Sequence, residues 1–247
     1  MQIVVIHGWP QNDPTVLQTV ADILGLLIYE VRQRMVGEGP VVIARFADRQ
    51  VAEATRDKLE LAGVPTFLMD SDVRPDTFLV RHFKFNKKTL QVATSAGEQC
   101  EIPFARITHL IAATTVVVPA EAGETVTERK FSLGKTVLSG GIPMTRQVKR
   151  QTAGTHEERD EALSLLADGQ MFLFLRSELN YTGLGAAKQL TRELNFNSLK
   201  AEMLRCAPQA VFDDRLCQRA GQVRLLGTSF DPDTHLDLSF EILSRSL

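Results

Sequence analysis

An α+β fold in two parts is predicted, and three observations carry that prediction. Short apolar runs alternate with stretches of helical spacing up to Asp70. From Phe78 the hydrophobic period changes to two. The charge balance also steps near residues 73–77: residues 1–76 hold 7 basic and 11 acidic side chains, which leaves 21 basic and 19 acidic for the remainder of the 28 and 30 in the chain. The chain has 247 residues, 44% of them hydrophobic and 23% charged, with a formal charge of -2. That composition excludes a disordered or strongly polyionic protein, and a chain this long buries about 70–75% of its unfolded surface without needing a disulfide or metal.

The elements follow in order. Residues 2–6 (QIVVI) read as a strand closed by Gly8 and Pro10. Asp13-Pro14 then supplies an N-cap and a first-turn proline for a helix through Val16, Leu17, Val20, Ile23 and Leu24. The helix resumes from Ile28, after a break over residues 25–27, and stops at Gly37 and Gly39-Pro40. Residues 40–46 (PVVIARF) are a second strand. Asp48 caps a helix through Val51, Thr55, Leu59 and Ala62, and residues 66–69 are a third strand. If the second and third strands are parallel neighbours, the crossover between them is right-handed. This is a ferredoxin-like βαβ layer over residues 1–74, followed by a linker containing Pro75 and Asp76.

Residues 78–85 read as one strand, ended by the turn Asn86-Lys87-Lys88. Residues 90–93 return, Gly97 turns again, and residues 100–104 and 107–118 complete an antiparallel meander. Residues 119–158 form an inserted basic segment with few apolar runs. Residues 162–166 and 171–175 make a hairpin around Asp168-Gly169. Leu190, Leu194, Leu199 and Met203 mark a helix interrupted at residues 195–197. A short helix starts at Asp213 or Asp214. Asp231-Pro232 precedes an amphipathic helix through Leu236, Phe240, Leu243 and Leu247. The second part, residues 77–247, is therefore an antiparallel barrel-like β domain with terminal helices.

Two resemblances accompany this reading. Residues 40–70, with strand, acidic cap Asp48, Ala52-Glu53 and Ala62-Gly63-Val64-Pro65, resemble the βαβ module of the prokaryotic signal-transducing protein family. Residues 78–118 with 162–175 and a following helix look like a bacterial pleckstrin-homology-like barrel, the phrase Ile102-Pro103-Phe104-Ala105-Arg106-Ile107 carrying the likeness. As a whole the chain looks like bacterial proteins of unassigned function. The resemblances imply a two-domain, signalling-type protein and carry over no catalytic residue.

Candidate sites are few. Arg129, Lys130, Lys135, Arg146, Lys149 and Arg150 face the single acid Glu128 within residues 127–150, a cluster suited to phosphates of nucleic acid or a lipid headgroup, or else a solvated hairpin around Gly140-Gly141. Overall acidity, with Phe131 as the lone aromatic there, disfavours nucleic acid. Residues 131–136 end like a phosphate-binding loop, but Arg129 stands where the first glycine is required. Gly183 and Gly185 before a helix, with Lys188 one turn on, suit an anion or a plain tight turn. The five histidines stand at no metal-ligand spacing, and no metal or cofactor is expected. Asp213-Asp214-Arg215 reads as paired carboxylates or as a cap with a local ion pair, and Cys206 as a buried helix-end thiol.

Trp9, between Gly8 and Pro10, and Tyr29, on a polar face with Glu30, Arg32 and Arg34, are candidate partner contacts; Trp9 equally suits a lid over the first helix. The odd, widely spaced Cys100, Cys206 and Cys217 and the lack of a charged, apolar leader imply a cytoplasmic protein with no membrane span. Because each catalytic constellation is incomplete, the expected function is non-catalytic: a regulatory or scaffold protein binding another protein, a second copy of the chain included, through open strand edges and amphipathic helices. An anion- or nucleic-acid-binding module and an enzyme acting on a phosphorylated small molecule are the alternatives.

Overall fold

The computed structural model describes residues 1–10, 13–37, 39–72, 76–117, 125–131, 145–151 and 158–246. By internal contacts the chain divides into two units, Met1–Thr115 with Asp160–Leu247, and Val116–Arg159. The fold is α+β, with antiparallel and mixed sheets.

In the larger unit, β1 (Gln2–Ile6) is the centre of a three-stranded sheet, with β2 (Val41–Phe46) and β3 (Thr66–Asp70) antiparallel to it on either side. The strands that flank the βαβ helix are thus parallel to each other but not neighbours, because β1 lies between them. The run QIVVI is apolar at consecutive positions because both its faces are covered: Ile3 and Val5 enter one core, Val4 and Ile6 another. The second of these cores is closed by α1 (Pro14–Leu24), α2 (Ile28–Arg34) and α3 (Arg49–Leu61), through Leu17, Val20, Val31, Ala52 and Leu59.

The local signals act as expected. Asp13 accepts from the Thr15 amide at 2.8 Å with Pro14 in the first turn, Gly25 ends α1 in the left-handed region, and Asp48 accepts from the Gln50 amide. Among the described residues no single helix is long and apolar enough to cross a membrane. The bent α1–α2 pair passes that test only by length and composition, and Leu17, Val20, Ala21 and Val31 on it are buried in the core.

Further strands, lying wholly or mostly in this unit, are β4 (Thr77–Val80), β5 (His82–Phe85), β6 (Thr89–Ala93), β7 (Gln99–Pro103), β8 (Ile107–Val117), then β11 (Glu158–Ala167), β12 (Gln170–Leu175) and β13 (Val211–Leu216). β5, β6 and β7 are an antiparallel meander. The others form a five-stranded sheet in the order β13-β8-β11-β12-β4. Alternate residues of that sheet serve two cores. Leu110, Ala112, Leu163, Phe172 and Phe174 face the meander and α4 (Arg192–Cys206), while Ile111, Ala113, Ala162 and Met171 share a core with Ile3, Val42 and two C-terminal helices, α5 (Arg219–Leu226) and α6 (Leu236–Ser246). The β11–β12 hairpin turns on Asp168-Gly169, both at positive φ (50° and 79°), as a two-residue turn of that type requires.

Three readings are corrected. Residues 78–85 are two strands in different sheets, broken at Arg81, whose amide donates to Ala93 and whose carbonyl accepts from Asn180. α4 is unbroken: Asn195, within its first turn, is buried because its amide group holds the Gln189 and Thr191 main chain at 2.7–3.0 Å, whereas Leu190 is fully exposed and Phe196, Leu199 and Met203 make the core face. Residues 211–216 are the edge strand β13, parallel to β8, where a helix start was expected. There Asp213 is buried by a bidentate pair with Arg215, and the helix that follows, α5, contains Gly221 because a Cβ would come 2.0 Å from the Arg215 carbonyl.

In the smaller unit, β9 (Thr125–Phe131) and β10 (Thr145–Gln151) pair antiparallel, with Lys130 opposite Arg146 and Val126 opposite Arg150 in the ladder.

Candidate functional site

A groove of about 920 Å³ runs between α2, β2 and α5. Residues 41–45 form one wall and Val223 and Leu226 on α5 form another. Val36 and Val223, 52% and 42% exposed, give it an apolar lining open to solvent. Exposed Tyr29 on α2 accepts from Gln33, which lines the groove, and so lies beside it. Four arginines ring this surface against one acid, Glu30. Arg219 is paired with Asp231 and Asp233. Arg34 donates to the Ile43 carbonyl, Arg45 donates to the Ser229 carbonyl and lies 5.3 Å from the Phe230 ring, and Arg224 lies against Gly37. None of these last three has a carboxylate partner among the described residues.

β2 is an edge strand, and part of its edge is covered. A bulge at Ile43 interrupts the β1 pairing, Pro40 precedes the strand, Arg34 takes the Ile43 carbonyl, and Val41 and Ile43 are each only 1% exposed. α5 and the turn Gly227–Ser229 flank it, with Gly227 close to the Val42 carbonyl. The groove beside β2 therefore offers side chains together with a partly covered ladder.

A second, polar hollow of about 660 Å³ lies where the β4–β5 corner meets the start of α4, and Lys188 lines it. Gly183 and Gly185 are not in its lining. Gly183 packs so close to Phe83 that a Cβ would fall 1.8 Å from that carbonyl, and Gly185 makes a kink at φ 55°, ψ -123°. Several neutral polar groups of the hollow are engaged by main chain: Tyr181 donates to the Arg176 carbonyl at 2.8 Å, Asn180 accepts from Thr182, and Asn195 holds Gln189 and Thr191. Burial holds the Tyr181 phenol well above its ordinary value, so it stays protonated.

The other titratable clusters serve the fold. Asp160, 3% exposed, accepts from the Glu161 amide, the Arg176 guanidinium and both the amide and hydroxyl of Ser177, and Glu161 bridges Arg176 to Lys200. Asp213 is taken by Arg215 and does not pair with Asp214. Cys206 is half-buried, and its thiol is pushed up by burial and by Glu202; burial does the same to Cys217, so neither is an activated nucleophile. Among the described residues no three His, Cys, Asp or Glu side chains converge.

Of the residues singled out from sequence, Tyr29, Glu30 and Arg34 fall on or beside the groove, and Trp9 is half-buried against the α1–α2 core. Arg129, Lys130, Arg146, Lys149 and Arg150 lie on β9 and β10; Lys135 and the turn at Gly140-Gly141 lie outside the described residues. Arg45, Val223 and Arg224 were not singled out, because only the fold brings them to α2. Comparison with protein-family models, with curated proteins and with solved structures finds no match to this chain.

Proposed function

We propose that the protein is a non-catalytic regulatory or scaffold module that binds another protein, taking an acidic amphipathic helix of its partner into the groove between α2, β2 and α5. The observation that carries this reading is the juxtaposition of exposed Val36 and Val223 with Arg34, Arg45 and Arg224, which have no carboxylate partner among the described residues. An acidic segment with apolar anchors complements that surface in both respects. Because Arg34 takes the Ile43 carbonyl and the bulge breaks the regularity of β2, a continuous ladder beside it is disfavoured, and a helix satisfies its own main-chain groups.

A cytoplasmic setting fits the three unpaired cysteines. The β2-α3-β3 unit split around β1 supports a ferredoxin-like layer, and the meander facing the five-stranded sheet with α4 against their shared core supports a pleckstrin-homology-like domain.

Selection from a displayed library of random twelve-residue peptides tests the function, run in parallel on the protein and on Val223→Glu. The expected result is enrichment of sequences with apolar residues at i, i+3 or i+4 and flanking Asp or Glu, bound at least about tenfold more weakly by Val223→Glu. No enrichment, or equal enrichment on both proteins, overturns it.

A further inference from the structure

The polar hollow beside α4 carries a charge pattern that neither the core nor the groove accounts for. Arg81 there is matched by Glu178 at 2.6 Å. Lys188 and Arg192 line the same hollow, are exposed, and have no carboxylate partner among the described residues, so two positive charges remain uncompensated in a chain whose formal charge is -2. His82 and the exposed Ser95 add groups able to donate hydrogen bonds, and every amide side chain around them has a main-chain partner in or next to the lining. The hollow therefore offers cations and donors, while each of its amide side chains is already engaged with main chain.

We propose that this hollow binds the phosphate group of a small phosphorylated molecule, with Lys188 and Arg192 supplying the charge. A phosphomonoester dianion matches two unpaired cations in number and sign, and an arginine fork with a lysine point charge is a common phosphate pair. The volume of about 660 Å³ leaves room for the rest of a metabolite-sized ligand. Neither glycine takes part: Gly183 is fixed by its contact with Phe83, and Gly185 by its backbone angles. No reaction is assigned to the site, because Tyr181, Asn180 and Asn195 are engaged by main chain and Glu178 by Arg81.

The test is titration of the full chain with inorganic phosphate and with glycerol 3-phosphate at 0.15 M salt, followed by amide chemical shifts, with neutral glycerol as the control for the carbon skeleton. Saturable shifts are expected at residues 188–192 with both phosphates and not with glycerol. Lys188→Ala and Arg192→Ala should each weaken binding about tenfold. Lys87→Ala with Lys88→Ala, exposed cations on the β5–β6 turn, should leave it unchanged. Absence of saturation, shifts surviving in the Lys188→Ala, Arg192→Ala double variant, or equal loss in the Lys87, Lys88 control overturns the site. Inorganic phosphate binding without tighter binding of glycerol 3-phosphate overturns the metabolite and leaves an adventitious ion only.

Discussion

Arg34, the last residue of α2, donates from Nη1 to the carbonyl of Ile43 at 2.8 Å, at the bulge of the edge strand β2. One guanidinium thus satisfies the acceptor that the bulge leaves unpaired and blocks the edge against another strand. Replacing it removes the donor while Ile43 stays buried. Arg34→Ala should lower unfolding stability by about 1–2 kcal/mol, seen as a lower midpoint in urea at unchanged slope. Full stability in that variant would mean that the contact contributes nothing.

Asp160 is a buried acid with four hydrogen bonds from Glu161, Arg176 and Ser177 at the start of β11. Truncating it strands two main-chain donors and part of the Arg176 guanidinium. Asp160→Ala should cost about 3 kcal/mol, and Asp160→Asn distinctly less, in chemical denaturation.

Gly183 separates a packing glycine from a ligand-binding one. A Cβ there meets the Phe83 carbonyl at 1.8 Å, so the β5 main chain must move. Gly183→Ala should destabilise the fold by about 2 kcal/mol or more, measured as a drop in Tm. An unchanged Tm would remove the packing explanation.

Tyr181 sets a pH limit. Burial raises its folded-state value, whereas the unfolded phenol ionises near its ordinary value of about 10. The folded chain then holds a proton that the unfolded chain releases, so this contribution is complete below about pH 10 and is lost as pH rises beyond it. Urea midpoints measured between pH 8 and 11 should fall on the alkaline side, and Tyr181→Phe should flatten that fall while losing the 2.8 Å bond to Arg176.

Much of this architecture is written in short-range patterns. The caps Asp13 and Asp48 and the Asp168-Gly169 turn each act through their immediate neighbours, and the structure has them as local chemistry predicts. The corner at Arg81 also left a trace: the buried residues run Phe78, Val80, then Phe83, so the parity slips by one between the sheets, a signal that a single period of two conceals. β13 was illegible for another reason. Asp213 looks like a helix cap until Arg215 neutralises it in the core, and that pairing depends on a strand laid beside β8. The groove shows the same limit. Tyr29, Glu30 and Arg34 are close in sequence and were visible as one helix face, but Arg45 and Val223 join them only through the packing of α5 on β2.

The conformation of a bound peptide tests the account most directly. A peptide enriched in the display selection, isotopically labelled and titrated with unlabelled protein, should acquire helical Cα shifts and show proximity to the methyl groups of Val36 and Val223. Extended shifts with contacts to the main chain of residues 44–46 would contradict it, since they would mean that a strand adds to β2 beside the carbonyl that Arg34 holds.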